Sequence, residues 1–371
     1  MKLLFTPGPL TTSEMVKRAM LRDLGSRDDE FIAIVRGIRR DLLALSGPGS
    51  HDYAAILMQG SGTFAIESVI SSAIPRHGSL LVLVNGAYGR RIARIAEVHG
   101  IACRQLVFAE NTPVDPAAVL RELQRAPATH VALVHCETTT GLLNPVEQIG
   151  AAVRAAGSTF IVDAMSSFGG IPLDVAAAGI DFLISSANKC IEGVPGFGFV
   201  IARRDALQQC RGQARTLALD LYDQWAGLER DGQFRFTPPT HALLAFRQAL
   251  DELAQEGGIV ARAARYRQNA DTLVAGLRDL GFETYLADEH RSAIITTFRY
   301  PSNPAFNFEN LYRRLSDAGF VIYPGKLTTE DCFRVGSIGH ITAKEIRALL
   351  AAWPLLRPAL PETPDHTQSG T

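Results

Sequence analysis

The sequence lacks the features that would direct it to a membrane, to nucleic acid or out of the cell. No apolar stretch approaches the roughly 20 residues of a membrane-spanning helix, and the apolar run at residues 1–5 is too short for a signal peptide. Lysine and arginine number 37 against 38 aspartate and glutamate, so the net charge of −1 favours neither nucleic acid nor an anionic membrane. We therefore expect a cytoplasmic protein that acts on small molecules.

Cysteine is scarce and has no metal-binding spacing. The five cysteines are odd in number, and no pair has the Cys-x-x-Cys spacing. A disulfide framework and a structural zinc site are both disfavoured, so we expect no metal and a reducing compartment. The cysteines are Cys103, Cys136, Cys190, Cys210 and Cys332.

The chain has the length and composition of a globular protein with more than one domain. It contains 371 residues, of which 47% are hydrophobic and 20% charged. Thr6-Pro7-Gly8-Pro9 cannot be helical, and Gly257-Gly258 is typical of a hinge. We predict an N-terminal arm and first helix at residues 1–20, a large domain at 21–256, a small domain at 257–356 and a disordered tail at 357–371.

Strands and helices alternate through the large domain. Continuous apolar strands separated by helices favour an α/β fold with a mostly parallel sheet covered by helices on both faces. Helices mixed with short strands after the hinge favour a smaller α+β domain. Predicted strands are 53–58, 80–84, 104–108, 130–135, 159–162, 180–184 and 199–201, and predicted helices include 28–45, 64–73, 146–156, 241–255 and 260–280.

A lysine stands at the end of one buried strand. The apolar run 180–184 is followed by Ser185-Ser186-Ala187-Asn188-Lys189, then by a glycine-rich turn and a second apolar run at 199–201. A lysine at such an edge can be desolvated, which lowers its pKa and makes the amine a nucleophile toward carbonyl groups. The alternative is a lysine in a surface loop.

An aspartate ends the preceding strand. Asp163 directly follows the largely apolar residues 159–162. A buried carboxylate is costly unless a cation or several donors accompany it, so Asp163 is a candidate counter-ion for a cationic group of a ligand. The alternative is an aspartate that caps the next helix.

The turn Gly60-Ser61-Gly62-Thr63 joins a strand to a helix, which is the geometry of an anion site. Free amides at a helix N-terminus and the Thr63 hydroxyl would face one point. The alternative is an ordinary turn with an N-cap threonine. The motif is neither the dinucleotide-binding Gly-x-Gly-x-x-Gly nor a P-loop.

These candidates share one edge of the predicted sheet. Ligands of such sheets bind at the carboxyl ends of the strands, and Thr63, Tyr88, Thr138, Asp163 and Lys189 all follow predicted strands. Their position at the same edge of the sheet is stronger evidence for a ligand site than any single motif.

Arg334 lies inside an apolar strand of the predicted small domain, in Cys332-Phe333-Arg334-Val335. A buried arginine requires an anionic partner, and its planar fork suits a carboxylate or a phosphonate. The alternative is an internal salt bridge to Asp or Glu.

The chain resembles the class V aminotransferase group of fold-type I pyridoxal-phosphate enzymes. The Asp163–Lys189 pattern marks the broad group, and three longer strings are more specific. The resemblance covers nearly the whole chain except the tail. The strings are Thr138-Thr139-Thr140-Gly141, Ser185-Ser186-Ala187-Asn188-Lys189-Cys190 and Asp220-Leu221-Tyr222-Asp223-Gln224-Trp225.

The resemblance implies a pyridoxal 5′-phosphate site with shared catalytic roles. Lys189 would bind the cofactor covalently, and Asp163 would pair with its ring nitrogen. Tyr88 and Met165 would pack on the two ring faces, and Thr138 would bond near the ring hydroxyl. The phosphate would be held by Ser61, Gly62, Thr63 and Asn188, with Thr237 reaching it from the partner subunit of a homodimer, while Arg334, Pro9, Thr12 and Ser13 would bind the substrate.

The same resemblance implies an activity, with alternatives. The three specific strings favour transfer of an amino group from 2-aminoethylphosphonate to pyruvate. An alanine–glyoxylate or serine–pyruvate transaminase shares the fold and the lysine–aspartate pair. A cysteine desulfurase needs a mobile late cysteine, whereas Cys332 lies in an apolar strand. A transcription regulator of this fold carries a basic N-terminal extension, which we do not expect here.

Overall fold

The computed structural model of the protein describes residues 2–304, 306–327 and 330–353. The predicted disordered tail at 357–371 lies outside the described residues. No helix within these ranges is both long and apolar enough to cross a membrane.

The N-terminal half alternates strands and helices. Its elements are β1 (Leu3–Leu4), α1 (Glu14–Arg18), α2 (Asp29–Ala44), β2 (Tyr53–Gly60), α3 (Gly62–Ala73), β3 (Ser79–Val84), α4 (Ala87–Val98), β4 (Ala102–Val107), α5 (Pro116–Arg125), β5 (His130–Val134), β6 (Cys136–Glu137), β7 (Leu142–Leu143), α6 (Val146–Ala155) and β8 (Thr159–Asp163).

The C-terminal half begins with two more strands of the same sheet and then becomes largely helical. Its elements are β9 (Phe182–Ser186), β10 (Gly196–Arg203), α7 (Arg204–Gln209), α8 (Leu221–Arg230), α9 (Thr240–Glu256), α10 (Gly258–Asp279), β11 (Ile295–Arg299), α11 (Phe308–Asp317), β12 (Phe320–Val321), β13 (Tyr323–Pro324), β14 (Cys332–Gly336) and α12 (Ala343–Ala352).

Seven strands form the central sheet, in the order β2-β10-β9-β8-β5-β3-β4. β10 pairs antiparallel with both of its neighbours, and the other pairs are parallel. β5 and β9 are buried along their whole length, as expected for strands covered on both faces. The predicted α/β architecture with a mostly parallel sheet is confirmed.

Local sequence explains where several helices begin. The Asp115 side chain accepts hydrogen bonds from the amides of Ala117 and Ala118 at the start of α5, where Pro116 occupies the first turn. Thr342 and Glu345 form a capping box at the start of α12. These caps satisfy amides that have no partner within the helix.

A second sheet forms near the C-terminus, in the order β11-β14-β13, with all pairs antiparallel. Its apolar face packs against α10 and α12 in a cluster that includes Phe298 and Phe333, whose rings stack with centroids 5.6 Å apart. The N-terminal arm joins this region, because β1 pairs in parallel with β12 and the amide of Gly336 donates to Phe5 O. The arm and β14 therefore form one unit.

The structure adds three details to the predicted elements. Residues 221–230, for which no element was predicted, form α8. The segment 320–323 divides between β12 and β13, which belong to different sheets. α10 begins directly at Gly258 because Gly257, with φ 107°, ends α9 and turns the chain.

Candidate active site

The carboxyl ends of neighbouring strands bring the predicted residues together. Asp163 ends β8, and Lys189 follows the adjacent strand β9. Thr138 follows the short strand β6, just beyond the end of β5, which pairs with β8 on the other side. The sequence places these side chains at one edge because parallel strands all end there.

Lys189 lies in a tight turn and is only partly exposed. The amide of Glu192 donates to Lys189 O at 2.7 Å, and Lys189 Nζ donates to Pro7 O at 2.7 Å. Burial lowers the pKa of Lys189, against the opposing charges of Tyr88 and Asp163. More of its amine is therefore neutral at neutral pH than in a surface lysine, and the surface-loop alternative is wrong.

Asp163 is 2% exposed and accepts a hydrogen bond from the amide of Met165 at 2.9 Å. Burial raises the pKa of Asp163 to about 6, although that amide and the charge of Lys189 lower it. Within the described ranges no cationic nitrogen lies within 4.0 Å of this carboxylate. It is a buried acid whose charge the protein leaves largely uncompensated.

The start of α3 has the features of an anion cradle. The Ser61 side chain makes no capping hydrogen bond, which leaves the first amides of α3 available. A Cβ on Gly62 would overlap the thioether of Met165, so a larger residue there would require the Met165 side chain to move. The Thr63 hydroxyl accepts from Arg91 Nη1 at 3.4 Å.

Several positively charged side chains act on Tyr88. Burial alone would raise the pKa of Tyr88, but a hydrogen bond with Thr138 and the charges of Lys189, Lys326 and Arg334 lower it below its ordinary value. Lys326 Nζ lies 5.6 Å from the ring centroid. The Tyr88 ring is thus influenced by Lys189, beside the central sheet, and by Arg334, in the C-terminal sheet.

Arg334 is 2% exposed and is held by backbone oxygens. Its Nε donates to Pro324 O at 2.9 Å, and its Nη1 donates to Thr138 O at 2.8 Å. Burial lowers its pKa, which Tyr88 partly offsets. In the described part of the chain no carboxylate lies within 4.0 Å of the guanidinium. The internal salt bridge considered as an alternative is therefore wrong.

The other predicted substrate residues lie along the arm. Pro9 O accepts from the Thr6 hydroxyl at 2.5 Å, and Thr12 O accepts from Lys17 at 3.0 Å. The Ser13 hydroxyl caps α1 and donates to Glu252 at 2.7 Å, so it is already engaged away from Lys189. Binding of substrate by Pro9, Thr12 and Ser13 stays a prediction.

Two other predicted phosphate ligands, Asn188 and Thr237, differ in their exposure and in their position relative to the anion cradle. Asn188 is partly buried and directly precedes Lys189. Thr237 is exposed, and its carbonyl accepts from the Gln59 side chain at 3.1 Å. Gln59 lies just before the cradle, so Thr237 sits beside the site rather than in it.

The structure adds residues that the sequence did not single out. Glu137 is fully buried and accepts from the Thr139 hydroxyl and from the amide of Tyr88, at 3.2 Å for the latter. Burial raises its pKa. It holds the first turn of α4, which carries Tyr88. Its signal was an acid just after an apolar strand, the same signal that identified Asp163.

Gly8 is a second addition, and it explains why the arm contains a glycine. Its φ is 122°, and a Cβ there would lie 2.6 Å from Lys189 Nζ. Only a residue without a side chain allows the arm to approach the lysine so closely.

The donor set fits pyridoxal phosphate. A buried, uncompensated Asp163 suits a cationic ring nitrogen, uncapped amides at Gly62 suit a phosphate, and Lys189 has the lowered pKa that bonding to an aldehyde requires. Arg334 remains for an anionic substrate group.

Comparison with protein families agrees with this chemistry. The family model for aminotransferase class-V matches residues 13–335 of the chain. Most of the chain is therefore covered by one family.

Curated relatives are similar over nearly their whole length. The chain is 54% identical over 352 residues to a 2-aminoethylphosphonate–pyruvate transaminase of Syntrophobacter fumaroxidans, covering 94% of this chain and 95% of that protein. It is 53% identical over 353 residues to the Klebsiella pneumoniae protein of the same name, covering 94% and 96%.

Solved structures share the fold at lower identity. An alanine–glyoxylate aminotransferase from Nostoc superposes with a TM-score of 0.88 at 25% identity, covering 96% of this chain and 95% of that one. A pyridoxamine–pyruvate aminotransferase from Mesorhizobium loti superposes with a TM-score of 0.86 at 26% identity, covering 95% and 91%.

Proposed function

The chain belongs to the class-V aminotransferases, and we propose that it transfers the amino group of 2-aminoethylphosphonate to pyruvate. The products are phosphonoacetaldehyde and alanine. The names of relatives at 53% and 54% identity support this donor and acceptor over alanine and glyoxylate. The pocket chemistry is compatible with it, because the guanidinium of Arg334 can bind the anionic group of either substrate.

The observation that carries the proposal is the buried guanidinium of Arg334. It lacks a carboxylate partner in the described part of the chain, and backbone oxygens fix two of its nitrogens. A guanidinium binds a phosphonate or a carboxylate through the same planar fork. One site can therefore hold the phosphonate of the donor and then the carboxylate of the acceptor.

Pyridoxal phosphate would be held by residues from several strand ends. Its phosphate suits the start of α3 and Asn188, its ring nitrogen suits Asp163, and its aldehyde suits Lys189 Nζ. Tyr88 and Met165 would pack on the two faces of the ring. When bound, the cofactor supplies an electron sink for the carbon that carries the amino group.

Lys189 Nζ is the group that moves the proton. Once free, its neutral amine can accept the proton from the substrate carbon next to nitrogen and return it on the cofactor side. Pro7 O lies 2.7 Å from Nζ and can hold the resulting ammonium group by a hydrogen bond. Burial excludes water, which favours the neutral amine before the transfer.

A homodimer with shared sites is part of the proposal. Phe64 and Phe236 are 51% and 45% exposed. The Phe64 ring lies against Gly60, and Phe236 O accepts from the Gln59 side chain at 3.0 Å. Such exposed aromatic side chains beside the phosphate cradle suit an interface. Thr237, the neighbour of Phe236, would then reach the partner's phosphate site.

Mixing two inactive variants tests that arrangement. Lys189→Ala and Thr237→Ala subunits, refolded or exchanged together, should regain activity, because one site of each mixed dimer then has both wild-type residues. Light scattering should report twice the chain mass. A monomer, or no recovery in mixed dimers, contradicts the shared site.

The substrate assignment is tested by a single half-reaction. The protein loaded with pyridoxal phosphate is mixed with 2-aminoethylphosphonate and no acceptor, and the visible absorbance of the bound cofactor is followed. We expect conversion to the pyridoxamine form, and addition of pyruvate should restore the original spectrum. No conversion by the phosphonate, together with conversion by alanine or serine, would overturn the substrate and leave the cofactor class.

A further inference from the structure

The turn that carries Lys189 has an unusual backbone. Glu192 has φ 65°, and no other non-glycine residue in the described ranges has a positive φ. Residues with a side chain rarely adopt this left-handed region, which glycine occupies without cost. A glutamate is therefore present where glycine would be easier, which indicates that its carboxylate is needed.

The Glu192 carboxylate is 2% exposed and is fully engaged by α10. Its Oε1 accepts from Arg265 Nη2 at 2.8 Å and lies 2.6 Å from the Tyr266 hydroxyl and 3.4 Å from Arg262 Nη1. Burial, with the nearby Glu192 charge, raises the pKa of Tyr266 well above its ordinary value, so the hydroxyl remains a donor.

The same side chains also hold the backbone beside the lysine. Cys190 O accepts from Arg262 Nη1 at 2.7 Å and lies 3.1 Å from the Tyr266 hydroxyl. Arg262 is 2% exposed and Tyr266 is fully buried. The peptide that follows Lys189 is thus fixed by donors from a helix far away in sequence.

The network continues to the strand that carries Arg334. Arg265 Nη1 donates to Gly339 O at 2.7 Å and to Ile341 O at 2.9 Å, in the segment that follows β14. Glu256 accepts from both arginines, which balances their charge. One cluster therefore contacts the lysine turn and the segment that follows the strand of Arg334.

We infer that Glu192, Arg262 and Tyr266 are positioning residues that hold the Lys189 turn in one orientation while the lysine is bound to the cofactor and while it is free. They act through the backbone of Cys190 and the geometry of the turn, and they contact neither substrate nor cofactor. The inference rests on the proposed role of Lys189.

The test compares two buried tyrosines that each lose one hydroxyl. Tyr266→Phe removes the donor to Glu192 and Cys190. Tyr53→Phe is the matched control, since Tyr53 is 4% exposed and its hydroxyl donates to Ile180 O at 2.7 Å, away from the lysine turn. Thermal midpoints of the cofactor-free proteins establish that both variants fold.

The first readout is the rate at which added pyridoxal phosphate forms the visible band with cofactor-free protein, and the second is kcat. Tyr266→Phe should slow both by about 5- to 10-fold, as expected when one buried hydrogen bond is lost, with KM for pyruvate within about 2-fold. Tyr53→Phe should change neither rate. Equal rates for the two variants would overturn the inference.

A second pair tests the carboxylate itself. Glu192→Gln keeps an acceptor oxygen and should retain most of the band-forming rate, whereas Glu192→Ala should lose about 10-fold. Equal loss in both contradicts the acceptor role. If wild-type protein forms no band with pyridoxal phosphate, the proposed role of Lys189 fails and the inference fails with it. If wild type forms the band and the variants form it at the same rate as wild type, only the inference is contradicted.

Discussion

The two sides of the pocket carry opposite uncompensated charges. On the edge of the central sheet, Asp163 is a buried acid whose pKa burial raises to about 6. On the C-terminal sheet, Arg334 is a buried cation whose pKa burial lowers. Each side holds a charge at a cost in free energy. In the proposed function, a ligand supplies the missing partner of each: a cationic ring for Asp163 and an anionic substrate group for Arg334.

The two sides are also built differently. The edge of the central sheet is assembled from turns directly after parallel strands, so its residues are close by topology alone. The C-terminal side depends on the arm, β13 and β14, which meet through long-range backbone contacts such as that of Gly336 with Phe5. We therefore expect the chemistry to depend on the first side and the choice of substrate on the second.

The largest effect should follow removal of the lysine. Lys189→Ala removes the nucleophile and the proton carrier, so kcat should fall by at least about 10³-fold, with the fold retained. Steady-state turnover and the visible spectrum measure this. Lys344→Ala on the surface of α12 is the control and should match wild type. A Lys189→Ala protein with wild-type turnover would contradict the assignment.

The next largest effect should follow replacement of Asp163, which should lower activity but raise the stability of the cofactor-free protein. Asp163→Asn should lower kcat by about 10²-fold, because it removes the counter-ion of the ring nitrogen. The folded pKa of about 6 exceeds the ordinary 3.8, so ionised Asp163 destabilises the cofactor-free protein. That cost is absent below about pH 4 and complete above about pH 6, where it reaches roughly 2 to 3 kcal/mol.

Denaturant unfolding of the cofactor-free proteins measures that difference. Asp163→Asn should match wild type near pH 4, become more stable than wild type as the pH rises from about 4 to about 6, and keep a constant advantage above that. Saturating cofactor should reverse the order at pH 8, since only the wild-type carboxylate gains a cationic partner. A stability difference independent of pH would show that Asp163 is not the buried, uncompensated acid described here.

A smaller loss of activity should follow the addition of a methyl group to Gly8 of the N-terminal arm. Gly8→Ala places a Cβ 2.6 Å from Lys189 Nζ, so kcat should fall about 10-fold. Gly100→Ala is the control for a methyl group at a positive φ: its φ is 64°, and apart from its chain neighbours no atom of the described residues lies within 4 Å of its Cβ. Gly100→Ala should lose about 1 kcal/mol of stability from backbone strain and Gly8→Ala more, since its φ of 122° lies outside the left-handed helical region, but only Gly8→Ala should lose activity. Equal kcat values would refute the close approach.

The smallest effect should come from the exposed cation of the pocket. Lys326 Nζ lies near Tyr88, and an exposed charge contributes only about 0.5 to 1 kcal/mol. Lys326→Ala should therefore raise KM for 2-aminoethylphosphonate about 3-fold and KM for pyruvate less, because the phosphonate carries more charge. The difference should shrink at high salt. An equal change for both substrates would argue against a role in recognition.

Much of the first side could be predicted from the sequence. Asp163 and Lys189 were found because a polar residue that ends an apolar strand lies at the ligand edge of the sheet. Glu137 carries the same signal and was overlooked. The seven strands of the central sheet follow from the alternation of apolar strands and helices. The helix at residues 221–230 has a mixed composition without a clear sequence signal, and the buried Leu221 and Leu228 pack it against the core.

The second side could be predicted only in part. Arg334 was identified because an arginine in an apolar strand is unusual, but its partners Pro324 O and Thr138 O are backbone atoms that sequence does not reveal. The contact of Gly8 with Lys189 joins residues 181 positions apart. No local pattern encodes such contacts, because they depend on how the arm packs on β14.

We expect the central-sheet side of the pocket to carry out the chemistry and the C-terminal side to select the substrate. The most direct test of this division compares the half-reaction of an amine that has an anionic group with that of an amine that lacks it. Wild-type protein and Arg334→Gln, both loaded with pyridoxal phosphate, are each mixed with 2-aminoethylphosphonate or with ethylamine, and cofactor conversion is timed. Wild type should prefer the phosphonate by about 100-fold or more. Arg334→Gln should lose that preference and keep the slow reaction with ethylamine. A variant that keeps the preference, or that loses the ethylamine reaction as well, would contradict the account.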